Sequence, residues 1–251
     1  MTFQLLHSNN RAMKDRYDVS GDRVAFLLCV KKDRRGAEED LQRLRNLLDY
    51  FHFHVKECID PKEEEIIPAM EQFREELKNP RNVSCVFIFL LAHGNDTSIF
   101  GAPTENGVEL EMIFEMFNNK ECPQLQNKPK VFIIQACRGE KVDAGVVTTG
   151  FRSTTTQEAV EQKKLPTMSD TFAVYPAPRG YVAYRDPKEG SFLITFMDEV
   201  FREFGDQFHL YDLFVKVNHR MVKKELQYGN TTAKTTLVME STLTKAVYLH
   251  E

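Results

Sequence analysis

The chain has 251 residues, 42% of them hydrophobic, and a formal charge of −4. That is enough apolar material for one α/β sheet with insertions, while the mild acidity and the lack of any extended basic run argue against a nucleic-acid partner. Five cysteines, at 29, 58, 85, 122 and 137, form no Cys-x-x-Cys pair, the first twenty residues hold no apolar signal core, and the longest apolar stretch, 85–92, is too short to span a bilayer.

Residues 1–20 are polar and read as a short irregular segment. An apolar run over 23–30 predicts a strand. Leu41, Leu44, Leu47, Leu48 and Phe51 recur at helical spacing and predict a helix over 38–51. Phe51, Phe53 and Val55 then alternate with His52 and His54, which is strand periodicity. The two histidines have no further metal ligands nearby and read as a solvent face. A second helix is expected over 63–77, with Pro68 kinking it or marking its start. The wholly apolar run 84–92 predicts a buried strand, 110–117 a helix, and 131–135 another buried strand. Apolar strands alternating with helices predict a mainly parallel sheet covered on both faces.

Residues 141–166 lose apolar periodicity and contain Thr148, Thr149, Gly150 and Thr154–Thr156, so they read as an exposed linker. Order resumes with a strand over 171–175, helices over 191–204 and 211–225, and strands over 237–243 and 246–249. The division is thus a short segment 1–20, a large region 21–140, the linker 141–166 and a small region 167–251, together one domain.

The chemistry concentrates where the strand 131–135 runs into Gln135-Ala136-Cys137-Arg138-Gly139. A charge and a glycine turn the chain there, which leaves Cys137 at the carboxyl end of a strand, exposed enough to react. His93-Gly94 closes the other apolar strand, 44 positions before Cys137. Sites in open α/β sheets form beyond the carboxyl ends of strands, so the thiol and the imidazole can meet. An adjacent base and oriented N–H groups raise the thiolate fraction of a cysteine.

A Gln-Ala-Cys-Arg-Gly run with a histidine some 50 residues upstream is the signature of caspases. The chain resembles that family of cysteine peptidases over nearly its whole length. The resemblance implies a three-layer α/β sandwich with a mainly parallel central sheet and helices on both faces. It implies Cys137 as nucleophile, His93 as proton donor to the leaving amine, and the Gly94 and Cys137 amides as oxyanion donors. A backbone carbonyl near Lys32 would orient the histidine. Arg34, Gln135 and Arg185 would bind a substrate aspartate, with Arg35 as the alternative to Arg34. Val182 and Tyr184, which stand where many members carry tyrosine and tryptophan, would line the neighbouring subsite. These departures, the Asp18–Gly21 lead-in and Val83–Phe87 point to the branch of the family active in epidermal keratinocytes.

The same resemblance implies a zymogen that acts on protein substrates without cofactor or metal, in epithelial terminal differentiation or programmed cell death. The residues 238–243 match a dimer-forming strand, so a homodimer is expected. A cytoplasmic setting is expected, with access to the nucleus, and no nucleic-acid or membrane partner. The linker holds no aspartate after Asp143, and Asp170 lies at the edge of the resumed strand. Another protease is therefore expected to cut between Val146 and Lys164. The rival reading is a caspase-fold interaction protein with little or no turnover.

Overall fold

The computed structural model describes residues 15–78, 82–102, 107–140, 165–228 and 231–250. In chain order the elements are β1 (Asp22–Cys29), α1 (Ala37–Tyr50), β2 (Phe53–Ile59), α2 (Glu63–Glu76), β3 (Val83–Leu91), β4 (His93–Gly94), β5 (Ser98–Phe100), β6 (Gly107–Glu109) and α3 (Leu110–Met116). After a 3-10 turn at Pro123–Leu125 come β7 (Lys130–Gln135), β8 (Thr171–Tyr175), β9 (Arg185–Asp186), β10 (Gly190–Ser191), α4 (Phe192–Phe204), α5 (Leu210–Lys223), β11 (Leu226–Tyr228), β12 (Thr231–Ala233) and β13 (Val238–Ser241).

Six strands form the central sheet in the order β13-β8-β7-β3-β1-β2. All neighbours pair in parallel except β13, which runs antiparallel to β8. The alternation of side chains along β1 separates two cores. Ala25, Leu27 and Cys29 pack with Leu41, Leu44, Met197, Phe201, Phe214 and Val217, under α1, α4 and α5. Val24, Phe26 and Leu28 pack with Ile66, Met70, Phe73, Ile113 and Phe117, under α2 and α3. Each buried leucine or phenylalanine contributes about 1.5–3 kcal/mol, so both faces need their helices. This is the three-layer sandwich with a mainly parallel sheet that the sequence predicts.

Local differences have local causes. Pro68 neither starts α2 nor ends it. It sits exposed within the helix, where the carbonyl it leaves without a donor can turn to water. The helix starts at Glu63 because the Lys62 amide is capped by Glu65 Oε2 at 2.8 Å. His52 does not belong to β2: it occupies the turn before the strand, with φ of 58°. Val55 is 38% exposed because β2 is the outermost strand.

The expectation of a polar, irregular N-terminal segment fails at Tyr17 and Val19, which are both buried. Tyr17 donates its hydroxyl to Asp170 Oδ1 at 2.6 Å and its amide to the Ala246 carbonyl at 2.9 Å. Residues 246–249 form no strand. Among the described residues one bridge, Arg16 to Ala246, is their only ladder contact, and Val247 and Leu249 are buried against the helices instead. The linker residues 141–164 lie outside the described residues.

Candidate active site

Leu91 and Gln135 are the last register pair between the parallel strands β3 and β7. His93 and Cys137 each stand two residues beyond that pair. Equal overhang on adjacent strands brings the imidazole and the thiol to the same edge of the sheet, and both line one cleft of about 730 Å³. Gln135, Val182, Tyr184 and Arg185 line the same cleft. Phe192 and Phe196 of α4 and Lys224 also line it, which sequence reasoning did not place there.

Cys137 is half-buried. Burial raises the thiols of Cys29 to about 11, Cys85 to about 12 and Cys122 to about 11, which keeps them protonated and inert. Cys58 is half-buried on the edge strand, away from the cleft, and burial raises its pKa too. The residues after Cys137 are pinned from the other side. Arg138 donates its amide to the Tyr181 carbonyl at 3.1 Å and accepts from the Gly180 amide at 2.6 Å. Its buried guanidinium lies 4.0 Å over the Tyr175 ring. Gly139, with φ of 146°, allows this approach, because a β-carbon would fall 2.4 Å from the Gly180 carbonyl.

His93 is half-buried at the start of β4, whose partner β5 fixes the adjoining Gly94 opposite Ile99. Its pKa is lowered, first by desolvation and then by the positive charges of Arg34 and Arg185. A hydrogen bond to the backbone of Asp33 opposes that shift by favouring the protonated ring. The orienting backbone group is therefore that of Asp33, one residue beyond the position near Lys32 inferred from the resemblance. Asp33 has φ of 57°, a left-handed turn that leaves no side-chain signature in the sequence.

Of the neighbouring arginines, Arg34 is 2% exposed and Arg35 is exposed. Arg34 does not itself line the cleft. It lies behind the wall, donating to the Val30 carbonyl at 2.8 Å and to the Gln135 carbonyl at 3.4 Å. Burial lowers its pKa to about 10, with Arg185 adding to the shift. Arg185, half-buried, donates Nε to the Arg35 carbonyl at 2.6 Å. Desolvation also lowers the pKa of Arg185. The buried Gln135 Oε1 and Arg34 Nε have no hydrogen-bond partner among the described residues. Two guanidiniums, Arg185 in the cleft and Arg34 behind its wall, suit a small anionic side chain.

Among the described residues no cluster of histidine, cysteine and carboxylate could hold a metal ion, and no helix is long and apolar enough to cross a membrane.

Residues 22–248 match the family model of the caspase domain. The chain is 38% identical to Caspase-14 of Homo sapiens over 244 residues, covering 96% of this chain and 99% of that one. It is 34% identical to Caspase-14 of Mus musculus over 247 residues, covering 94% and 95%. The crystal structure of Caspase-1 from Spodoptera frugiperda superposes with a TM-score of 0.80 at 21% identity over 94% of both chains, a likeness of fold.

Proposed function

Because the chain belongs to the caspase family, we propose that it is a cysteine endopeptidase that cleaves proteins after aspartate through Cys137 and His93. The observation that carries this reading is the matched overhang of the two residues beyond the Leu91–Gln135 pair, in a cleft that also contains Gln135 and Arg185.

The lowered pKa of His93 keeps the imidazole neutral in the empty site, able to take the proton of the Cys137 thiol. The thiolate attacks the carbonyl carbon of the scissile bond. The amides of Gly94 and Cys137 stabilise the resulting oxyanion, a contribution of about 3 kcal/mol per donor. The imidazolium then gives its proton to the leaving amine, the carbon–nitrogen bond breaks, and water hydrolyses the thioester. A substrate carboxylate placed among Arg34, Gln135 and Arg185 offsets the two positive charges that depress His93. Binding of the correct side chain thereby favours the imidazolium that must protonate the amine. Val182 and Tyr184 contact the residue before the aspartate.

The chain acts as a homodimer joined through β13, the outermost antiparallel strand, whose pairing would cover an open sheet edge. It is made as a zymogen, is cut in the linker by another protease, and works in the cytoplasm, with access to the nucleus, in epithelial differentiation or cell death.

The test is covalent labelling with an aspartyl aldehyde or fluoromethyl ketone peptide, read by mass spectrometry, alongside turnover of an aspartyl reporter peptide. Labelling at Cys137, with turnover lost in Cys137→Ala and His93→Ala, is expected. Arg34→Ala and Arg185→Ala should lower kcat/KM on the order of 10²-fold. Absence of labelling and turnover in the linker-cut dimer would favour a caspase-fold interaction protein.

A further inference from the structure

Among the described residues Asp40 is the one buried carboxylate near the two pocket arginines. It stands in the first turn of α1, on the same stripe as Leu41, Leu44 and Leu48, and is fully buried. Both of its oxygens are engaged by one residue. The Ser191 amide donates to Oδ1 at 2.6 Å, and the Ser191 hydroxyl donates to Oδ2 at 2.5 Å. Ser191 in turn faces Arg185 across the β9–β10 pair.

The backbones around this point leave no room to spare. A β-carbon on Gly190 would fall 2.5 Å from Asp40 Oδ1, and one on Gly36 would fall 2.4 Å from the Asp186 carbonyl oxygen. Arg185 closes the unit through its bond to the Arg35 carbonyl. Residues from both sides of the linker, 34–40 and 185–191, therefore meet on Asp40.

The other buried charges are accounted for elsewhere. Lys130 lies near Asp170, and Arg138 lies 3.5 Å from Asp96. Among the described residues neither Arg34 nor Arg185 forms a salt bridge, and each repels the other in low dielectric. Asp40 attracts both. Its own pKa is raised by burial and opposed by the Ser191 bonds and by both arginines.

We propose that Asp40 is a positioning residue for the substrate pocket: its charge, held by Ser191, keeps Arg34 and Arg185 side by side in the empty enzyme. This rests on the reading of those arginines as the aspartate pocket. With Asp40 ionised, the empty pocket carries one net positive charge from two guanidiniums and one carboxylate, and a single substrate carboxylate neutralises it. Without that charge the guanidiniums repel each other until substrate arrives, and binding must first reassemble the pocket.

Asp40→Asn tests the charge, because asparagine can keep both contacts with Ser191. Ser191→Ala removes the hydroxyl bond to Oδ2 and leaves the amide bond and the charge in place. For Asp40→Asn, KM for an aspartyl peptide should rise on the order of tenfold, with kcat changed far less. Its melting temperature should fall in the free enzyme, and saturating aspartyl aldehyde peptide should restore most of the loss. Ser191→Ala should lower the melting temperature of free and liganded enzyme equally. An Asp40→Asn enzyme with parental KM, or with the same thermal loss whether free or liganded, overturns the proposal. Arg185→Ala is measured in parallel. If it retains the parental preference for aspartyl over asparaginyl peptides, the pocket reading itself fails and the role of Asp40 falls with it. If Arg185→Ala loses that preference while Asp40→Asn is unchanged, the role of Asp40 alone fails.

Discussion

A β-carbon added to Gly94 would stand 2.5 Å from the carbonyl oxygen of Ser98, and 3.0 Å from the β-carbon of Ala136. The first contact is with backbone, which cannot rotate away. Gly94→Ala should therefore push β4 away from β5 and from the residue before Cys137, moving the Gly94 amide out of line with the oxyanion. Steady-state kinetics should show kcat reduced by about 10²–10³-fold with KM changed much less, the signature of a lost transition-state donor.

His93 should titrate below the ordinary histidine value near 6.5, because desolvation and the charges of Arg34 and Arg185 disfavour the imidazolium. NMR titration of the imidazole in Cys137→Ala checks this without turnover. Adding an aspartyl peptide should move the titration upward, and an asparaginyl peptide should not. The folded-state pKa is depressed, so between it and about 6.5 the unfolded chain binds the extra proton, and the stability contributed by neutral His93 is lost as pH falls through that window.

Lys130 is fully buried at the start of β7, with Nζ donating to Asn119 Oδ1 at 3.1 Å and to the Leu125 and Lys128 carbonyls at 3.2 Å each. Lys130→Met would leave Asn119 Oδ1 and the Lys128 carbonyl without a donor, while the Leu125 carbonyl keeps the Lys128 amide, and should destabilise the fold by about 2–4 kcal/mol in chemical denaturation at pH 7. Burial lowers the pKa of Lys130 to about 8. From there to the ordinary lysine value near 10.4, the unfolded chain binds the proton more tightly. The parent should thus gain stability relative to Lys130→Met as pH rises from about 8 to about 10.

Asp170 is 1% exposed and accepts hydrogen bonds from Tyr17, Ser169 and Thr244, so a protease cannot reach the bond after it without local unfolding. The chain expressed alone should show no cut there. N-terminal sequencing after limited proteolysis by an enzyme selective for non-acidic residues should place the cut between Val146 and Lys164, with activity rising as it forms. Full activity gained by cleavage after Asp143, and lost in Asp143→Ala, would contradict this.

The strands and helices that carry the sheet are written in periodicity, because their burial is one-sided or complete. The signature around Cys137 and the histidine two residues beyond β3 mark the candidate nucleophile and its partner, through the strand pattern together with the family resemblance. Other parts of the site leave no such trace. The Asp33 carbonyl is a backbone group, and any residue could supply it. Spacing to Gly36 favours Arg34 over Arg35 as letters, and it is in the structure, after the left-handed turn at Asp33, that Arg34 is buried and Arg35 exposed. Asp40 did leave a signal, an acid on the apolar stripe of an amphipathic helix, but a first-turn acid is equally explained by the helix dipole. The short pair β9–β10 and the three-stranded sheet β4-β5-β6 are local hairpins, and runs of two or three residues show no period.

The seam between β7 and β8 runs from Lys130–Thr171 to Ile133–Val174, and the linker joins its two sides. Neither half of the molecule owns a complete sheet. A severed chain is therefore a complementing pair, held together by ladder bonds and shared cores, and its refolding becomes second order. A covalent connection supplies an effective concentration on the order of millimolar, so pieces at micromolar concentration forgo a factor of about 10³, or about 4 kcal/mol, on reassembly. Cutting would then make the folded state hard to regain once lost, and the severed molecule, but not the intact one, should recover more slowly after denaturation as it is diluted.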